Sequence, residues 1–211
     1  QDTLAISKRE REPIVDFEHN SNLEGLKYLN PLYNFIANKQ SLKVLYQPFG
    51  QDKPREWTIF PYLLKEYRNR WFLFCSRVSD MKLFDLALDR IKGIEVVSDV
   101  EYKIDPKFNP KTYFKNVIGV TKHRGTPLSV VRFSASAEQA PYIETKPLHS
   151  SQMVVERNEG TGEVIFQVEV VLNFEFYALI LSYGAGVKVL SPKCAVSNIR
   201  KMLEDAYLQY K

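Results

Sequence analysis

The sequence predicts an α+β chain in which a small β-barrel is followed by a ferredoxin-like β-α-β-β-α-β domain. Three observations carry that expectation. Residues 41–104 hold five short stretches with strand periodicity or strand composition. Residues 105–127 are broken by Pro106, Pro110 and Pro127. Residues 128–211 then interleave strands with helices whose caps and stops are visible in the sequence.

Taken in order, the first twenty residues show no apolar period and read as a tail. A turn carrying Leu23, Leu26 and Leu29 leads into a helix with Asn30 as cap, Pro31 at its first position, and Leu32, Tyr33 and Ile36 on one face up to about Asn38. Residues 1–40 are thus an N-terminal linker and helix. Leu42, Val44 and Tyr46 alternate with Lys43, Leu45 and Gln47 to give a first strand, ended by the turn Pro48-Phe49-Gly50-Gln51-Asp52. Trp57 to Pro61 is a second strand and Arg70 to Ser76 a third. Phe84, Leu86 and Leu88 against Asp85, Ala87 and Asp89 make a fourth, and Ile94 to Val97 a fifth. Phe108, Tyr113 and Phe114 sit among the lysines of the linker as aromatic anchors.

Beyond the linker, Leu128 to Ser134 is a strand and Ser136 caps a short helix through about Glu144. Gln152 to Arg157 and Glu163 to Val171 form a hairpin across Asn158-Glu159-Gly160-Thr161-Gly162, a segment rich in residues that tolerate positive φ. Asn173 caps a helix over Phe174 to Tyr183, stopped by Gly184 and Gly186, and Val187 to Leu190 is the last strand. Ser191-Pro192 opens a final helix with Val196, Ile199, Leu203, Ala206 and Tyr210 near one face.

Composition narrows the function. The chain is 45% hydrophobic and 26% charged, the balance of a globular domain, with no apolar run near the ~20 residues of a membrane span and no signal-peptide core at its start. A soluble, cytoplasmic chain without membrane partners is expected. Cys75 and Cys194 lie far apart without metal spacing and read as small buried hydrophobes. His19, His123 and His149 are scattered, and no nucleotide-binding glycine loop occurs. Asp85 and Asp89 read as solvated carboxylates on the outer face of a strand. No catalytic residue, metal site or cofactor is expected, and the chain is read as a binding protein rather than an enzyme.

Charge distribution supports a negatively charged partner. Between positions 43 and 77, Lys43, Lys53, Arg55, Lys65, Arg68, Arg70 and Arg77 face only Asp52, Glu56 and Glu66, and are interleaved with Tyr46, Phe49, Trp57, Tyr62, Tyr67 and Trp71. From Pro106 to Ala137 there is no acidic residue at all. Arginine pairs bidentately with phosphate while aromatic faces stack on bases. Within Asn69-Arg70-Trp71-Phe72-Leu73-Phe74-Cys75, Trp71, Leu73 and Cys75 point to one face, and Arg70, Phe72 and Phe74 to the other. Both faces are apolar after Arg70. One set fills the barrel, and the other must be covered by the helix at 31–38, by another chain or by a ligand.

The run Leu42-x-Val44-x-Tyr46, then Arg55 to Pro61-Tyr62, then Arg70-Trp71-Phe72-Leu73, then Leu86-x-Leu88-Asp89-Arg90-Ile91 resembles the WYL domain. The later segment, with Val187-Lys188-Val189-Leu190-Ser191-Pro192 before a terminal helix, resembles its WCX extension. The resemblance implies a Sm-like or SH3-like barrel over 41–104, a linker over 105–127, and a WCX domain with C-terminal helix over 128–211. It further implies the sensing part of a bacterial transcriptional regulator. A DNA-reading winged helix-turn-helix would precede Gln1 and supply the DNA contacts. The family's ligand face maps onto Tyr46, Tyr62, Arg70, Phe72 and Arg90. Phe72 stands where the signature has tyrosine, so a hydroxyl is lost, and Ala87 stands where many members carry a basic residue. The partner this implies is a single-stranded nucleic acid or nucleotide, with homodimerisation through the WCX part. The alternative is an interaction module that dimerises without a ligand.

Overall fold

The computed structural model of the chain describes residues 25–106, 108–122 and 125–211. The expectations for the tail, Leu23, His19 and His123 lie outside those residues. The architecture is α+β on two antiparallel sheets.

The first sheet contains β1 (Leu42–Tyr46), β2 (Arg55–Tyr67), β3 (Arg70–Arg77), β4 (Leu83–Ala87) and β5 (Ile91–Val96), in the order β4-β3-β2-β1-β5. β2 runs past the expected Pro61 to Tyr67 because Arg68 and Asn69 take positive φ (50° and 61°) and close a tight hairpin to β3. Pro61, which has no N–H to donate, coincides with a register shift between Pro61 and Leu63. That bulge leaves Tyr62 and Leu63 on the outer face and returns Leu64 to the inner one. The sheet curls strongly enough for Phe84 of β4 to meet Trp57 of β2 across the intervening strand, ring centroids 5.4 Å apart.

Its inner face is filled by Leu42, Val44, Ile59, Leu73, Cys75 and Leu86. A helix, α1 (Leu29–Ala37), packs onto this same cluster through the fully buried Leu32 with Leu29, Phe35 and Ile36. Asn30 is not its cap: the helix begins one residue earlier, Pro31 is its third residue, and Tyr33 is exposed. Gly25, at φ 100°, precedes it, and a Cβ there would stand 2.3 Å from the Leu88 carbonyl carbon, so only glycine allows this approach.

The second sheet contains β6 (Leu128–Ala135), β7 (Met153–Arg157), β8 (Val164–Val171) and β9 (Val187–Ser191), in the order β7-β8-β6-β9. Phe133 and Phe166 stack in its core at 5.4 Å, under residues of α3 (Ala140–Thr145), α4 (Phe174–Leu181) and α5 (Lys193–Leu208). Asn173 caps α4 as expected, its Oδ1 accepting the Phe176 N–H at 2.8 Å. Ser136 instead opens a turn, its Oγ accepting the Gln139 N–H, and α3 starts only at Ala140. On α5 the packed residues are Ala195, Val196, Ile199 and Met202, whereas Leu203 and Tyr210 are exposed, so the expected apolar stripe outruns the sheet it packs on. Cys75 is buried and Cys194, at the start of α5, is exposed, against the expectation for the second. Among the described residues, no helix is long and apolar enough to cross a membrane.

Candidate ligand-binding face

The first sheet brings arginines and rings into one ladder at the mouth of its curled inner face. Arg77, at the end of β3, lies over the Phe84 ring at 5.7 Å. Phe84 meets Trp57 edge-on, and Trp57 lies 5.6 Å from Tyr46. Arg90 follows, its guanidinium 5.9 Å from the Tyr46 ring and 4.7 Å from the Phe49 ring. Each member is delivered by a local rule: period-two alternation sends Trp57 and Phe84 inward with Leu73. The bulge between Leu45 and Tyr46 turns Tyr46 toward the short 3₁₀ turn Leu88–Arg90, which carries Arg90. Burial pushes the Tyr46 phenol above its usual range, the neighbouring Arg90 charge opposing that shift.

One carboxylate organises the cations. Arg70 Nε stands 3.3 Å from Asp89 Oδ2, and Arg90 Nε 3.7 Å from Asp89 Oδ1. Asp89 is therefore no solvated strand residue: it lies on the 3₁₀ turn with its side chain only 12% exposed. The Arg90 contact exceeds hydrogen-bond length, so Arg90 Nε and Asp89 Oδ1 remain buried without a hydrogen-bond partner, as does Arg77 Nε. Two cations sharing one carboxylate leave a net positive charge beside exposed Phe49 (70%).

Of the five residues singled out in the sequence, Tyr46, Arg70 and Arg90 come together here. Tyr62 and Phe72 do not. They sit on the outer face with Leu63, Tyr67 and Phe74, where Phe108, Tyr113, Phe114 and Val120 of the linker cover them. The covering element for the second face of β3 is thus the linker, since α1 is spent on the inner face. Phe114 packs edge-on against Phe74 at 4.7 Å, and Phe108 stacks on Tyr62 at 5.6 Å. Tyr62 Oη donates to the Lys103 carbonyl and accepts the Asp105 N–H, and Tyr102 Oη donates to the Pro61 carbonyl at 2.7 Å. Phe49, Trp57, Arg77, Phe84 and Asp89 were absent from the expected site, although the interleaving of Phe49, Trp57 and Arg77 with basic residues pointed toward them.

The same linker grips the second sheet. Asn116 accepts the Val171 N–H at 2.8 Å, and Asn173 Nδ2 donates to the Ile118 and Thr121 carbonyls, both at 2.8 Å. Glu175, on the first turn of α4, accepts the N–H groups of Val120 (3.2 Å) and Thr121 (3.0 Å) through Oε1. Gly119 takes φ 79° directly against this side chain, where a Cβ would lie 2.5 Å from Glu175 Cγ. His149 is held within the second sheet's periphery by Ser151 Oγ at 2.7 Å, and burial pushes its pKa down.

Two family models match the chain, the WYL domain over residues 27–96 and the WCX domain over residues 128–207. The chain carries a WYL domain followed by a WCX domain. The ladder lies wholly within the WYL domain, and Asn173 and Glu175 belong to the WCX domain. No curated protein matches the chain. Among solved structures, it is similar to Proteasome accessory factor B/C (PafBC) of Arthrobacter aurescens, at 14% identity over 89% of this chain and 28% of that one, TM-score 0.35. It is also similar to a CRISPR Cas-related protein, at 12% identity over 90% of this chain and 52% of that one, TM-score 0.51. The WYL–WCX pair thus spans about half, or less, of the length of these structures.

Proposed function

We propose that this WYL–WCX pair is the effector-sensing region of a transcriptional regulator, binding an anionic ligand, single-stranded nucleic acid or a nucleotide, at the arginine-aromatic ladder. The observation that carries the reading is the ladder itself: Arg77, Phe84, Trp57, Tyr46, Arg90 and Phe49 in unbroken contact, with Arg70 alongside. Guanidinium groups supply phosphate contacts, and ring faces supply sequence-tolerant stacking worth about 1–3 kcal/mol per base. The buried, unpartnered Nε atoms of Arg77 and Arg90 are donors that an anion would satisfy. The chain acts by binding rather than by catalysis in this reading. The curled five-strand sheet is read as the Sm-like barrel over 41–104, and the order β7-β8-β6-β9 as the ferredoxin-like arrangement over 128–211.

Binding reaches the WCX domain through the linker at 105–127, which is anchored to both sheets. A ligand shifts the arrangement only through unequal affinity for two states, and the strap offers a discrete set of contacts that can be made or broken. Homodimerisation through the end of α5 is part of the proposal, supported by the exposed side chains Leu203, Tyr207, Leu208 and Tyr210. The alternative, a dimerisation module without a ligand, rests on those same residues and leaves the ladder unexplained. Fluorescence anisotropy of labelled short oligonucleotides at two salt concentrations separates the two. Binding that weakens with salt and collapses in the Arg70→Ala/Arg90→Ala variant supports sensing. Absence of binding at low salt, or binding unchanged in that variant, rejects it.

A further inference from the structure

The basic residues of the linker take no part in the ladder. Lys111, in the single helical turn α2 (Pro110–Tyr113), and Lys115, just past its end, are both exposed and lie four residues apart, the spacing that brings side chains to one side of a turn. Phe114 beside them packs edge-on against Phe74 at 4.7 Å and against Tyr113 at 4.8 Å. Strand β2 adds Lys65, whose Nζ lies 4.8 Å from the centre of the Phe114 ring. Tyr67 follows two residues along the same strand face, and the Arg68 guanidinium lies 5.6 Å from its ring. Arg68, Lys65, Lys111 and Lys115 thus gather around the rings of Tyr67 and Phe114 as one basic patch.

Acidic residues do not cancel it. Among the described residues, none of these four cations is in an ion pair. Glu66 alternates to the other face of β2, opposite Trp71, and accepts the Asn69 N–H. Glu175 is buried on the N–H groups of Val120 and Thr121. Burial raises the Tyr67 phenol, and of the two charges acting on it the Arg68 cation, which lowers it, outweighs the Glu175 carboxylate. Glu169 meets the linker through its backbone carbonyl, which accepts from Asn116 Nδ2 at 3.0 Å. Asp85 and Asp105 bear on the Tyr113 phenol. Neither ring at the centre of the patch is an open stacking platform, since Phe114 is held among Phe74, Tyr113 and Lys65, and Arg68 covers Tyr67.

We propose that this patch is a contact surface for the phosphate backbone of double-stranded DNA. A single strand is best held where its bases can stack, as the ladder allows. A duplex keeps its bases stacked inside and presents one phosphate charge per ~1.7 Å of axis, so exposed cations without open ring faces suit it. Contacts of this kind position a duplex without reading its sequence. The site stands independently of the anionic-ligand reading of the ladder.

The test is fluorescence anisotropy of a labelled duplex of about 20 base pairs with the whole chain, between about 20 and 200 mM salt. Saturable binding is expected, with log K falling against log salt at a slope of about −3 to −4 and with no preference among duplex sequences. Lys65→Gln, Lys111→Gln and Lys115→Gln keep most of each aliphatic stem, and each should flatten the slope by about 0.9. The triple variant should lose about tenfold or more in affinity at low salt. Urea melts verify that it is folded. An unlabelled short single strand in excess, and the Arg77→Ala/Arg90→Ala variant, should each leave most of the duplex binding in place. Absence of duplex binding at low salt, a slope unchanged in the folded triple variant, or duplex binding that is displaced by the single strand or lost in the arginine variant would each overturn the proposal.

Discussion

Arg70 Nε and Asp89 Oδ2 stand 3.3 Å apart, and the same carboxylate faces Arg90, so a single acid holds together two of the three arginines at the WYL ladder. Asp89 both orders the cations and cancels part of their charge. Asp89→Asn should therefore raise oligonucleotide affinity about three- to tenfold at low salt, with a steeper salt dependence. It should cost about 1–2 kcal/mol of stability by urea denaturation, a modest figure because Arg70 is well exposed and water screens its share. Lower affinity in this variant would mean that Asp89 acts chiefly by positioning.

The two faces of the first sheet should respond differently to truncation. Phe49 is exposed and Phe72 is packed under the linker. Phe49→Ala should leave stability within about 0.5 kcal/mol and weaken oligonucleotide binding, whereas Phe72→Ala should lose about 2–4 kcal/mol and disturb binding only in proportion to unfolding. Urea melts and anisotropy titrations on the same samples separate these effects.

Glu175 is the acid that ties the linker to the WCX domain. Glu175→Ala removes the acceptor of the buried Val120 N–H and the half-buried Thr121 N–H and should cost about 2–4 kcal/mol, with Val120 and Thr121 amides losing hydrogen-exchange protection ahead of the sheets. Gly119→Ala should fail in the same place, since it meets both a positive φ and the Glu175 side chain. Uniform loss of protection across the chain would contradict a local brace.

Alkaline pH should release the linker before it melts the cores. Burial raises the phenols of Tyr62 and Tyr102, that of Tyr102 to about 12, while an unfolded tyrosine titrates near 10. Because the folded values are the higher ones, their contribution to stability is complete below about pH 10. It falls away as pH rises toward 12. Absorbance at the phenolate band should therefore show a late-titrating class, and Tyr102→Phe should shrink it while weakening the hold on the Pro61 carbonyl. The thiols divide likewise: Cys194 should react at once with a disulfide reagent, and Cys75, its pKa pushed well up by burial, only on unfolding.

Much of this molecule could be read from periodicity and caps. Leu42, Val44 and Tyr46 announced a strand, and Asn173 announced its helix, because both signals depend on neighbours in sequence. The extension of β2 escaped notice because Arg68 and Asn69 adopt positive φ without a glycine to mark it. Asn30-Pro31 suggested a helix start that α1 overrides, tertiary packing of Leu29 and Leu32 outweighing the local cap signal. The candidate site was half legible. Arg70 and Arg90 followed from the WYL motif, but the contact between Phe84 and Trp57 depends on the curl of the sheet, and no linear pattern reports that. Phe72 entered the expected ligand face through its place in the WYL motif, and the apolar strand left its cover open; the fold shows that the linker supplies it.

The ladder claim is tested most directly by the fluorescence of Trp57. The chain has two tryptophans, so Trp71→Phe leaves Trp57, between Tyr46 and Phe84, as the single reporter. Adding a short single-stranded oligonucleotide at low salt should quench its emission saturably, with the effect weakened by salt and abolished in Arg77→Ala/Arg90→Ala. Emission that does not change, or quenching that persists in the folded arginine variant, would contradict the assignment of this face as the ligand site.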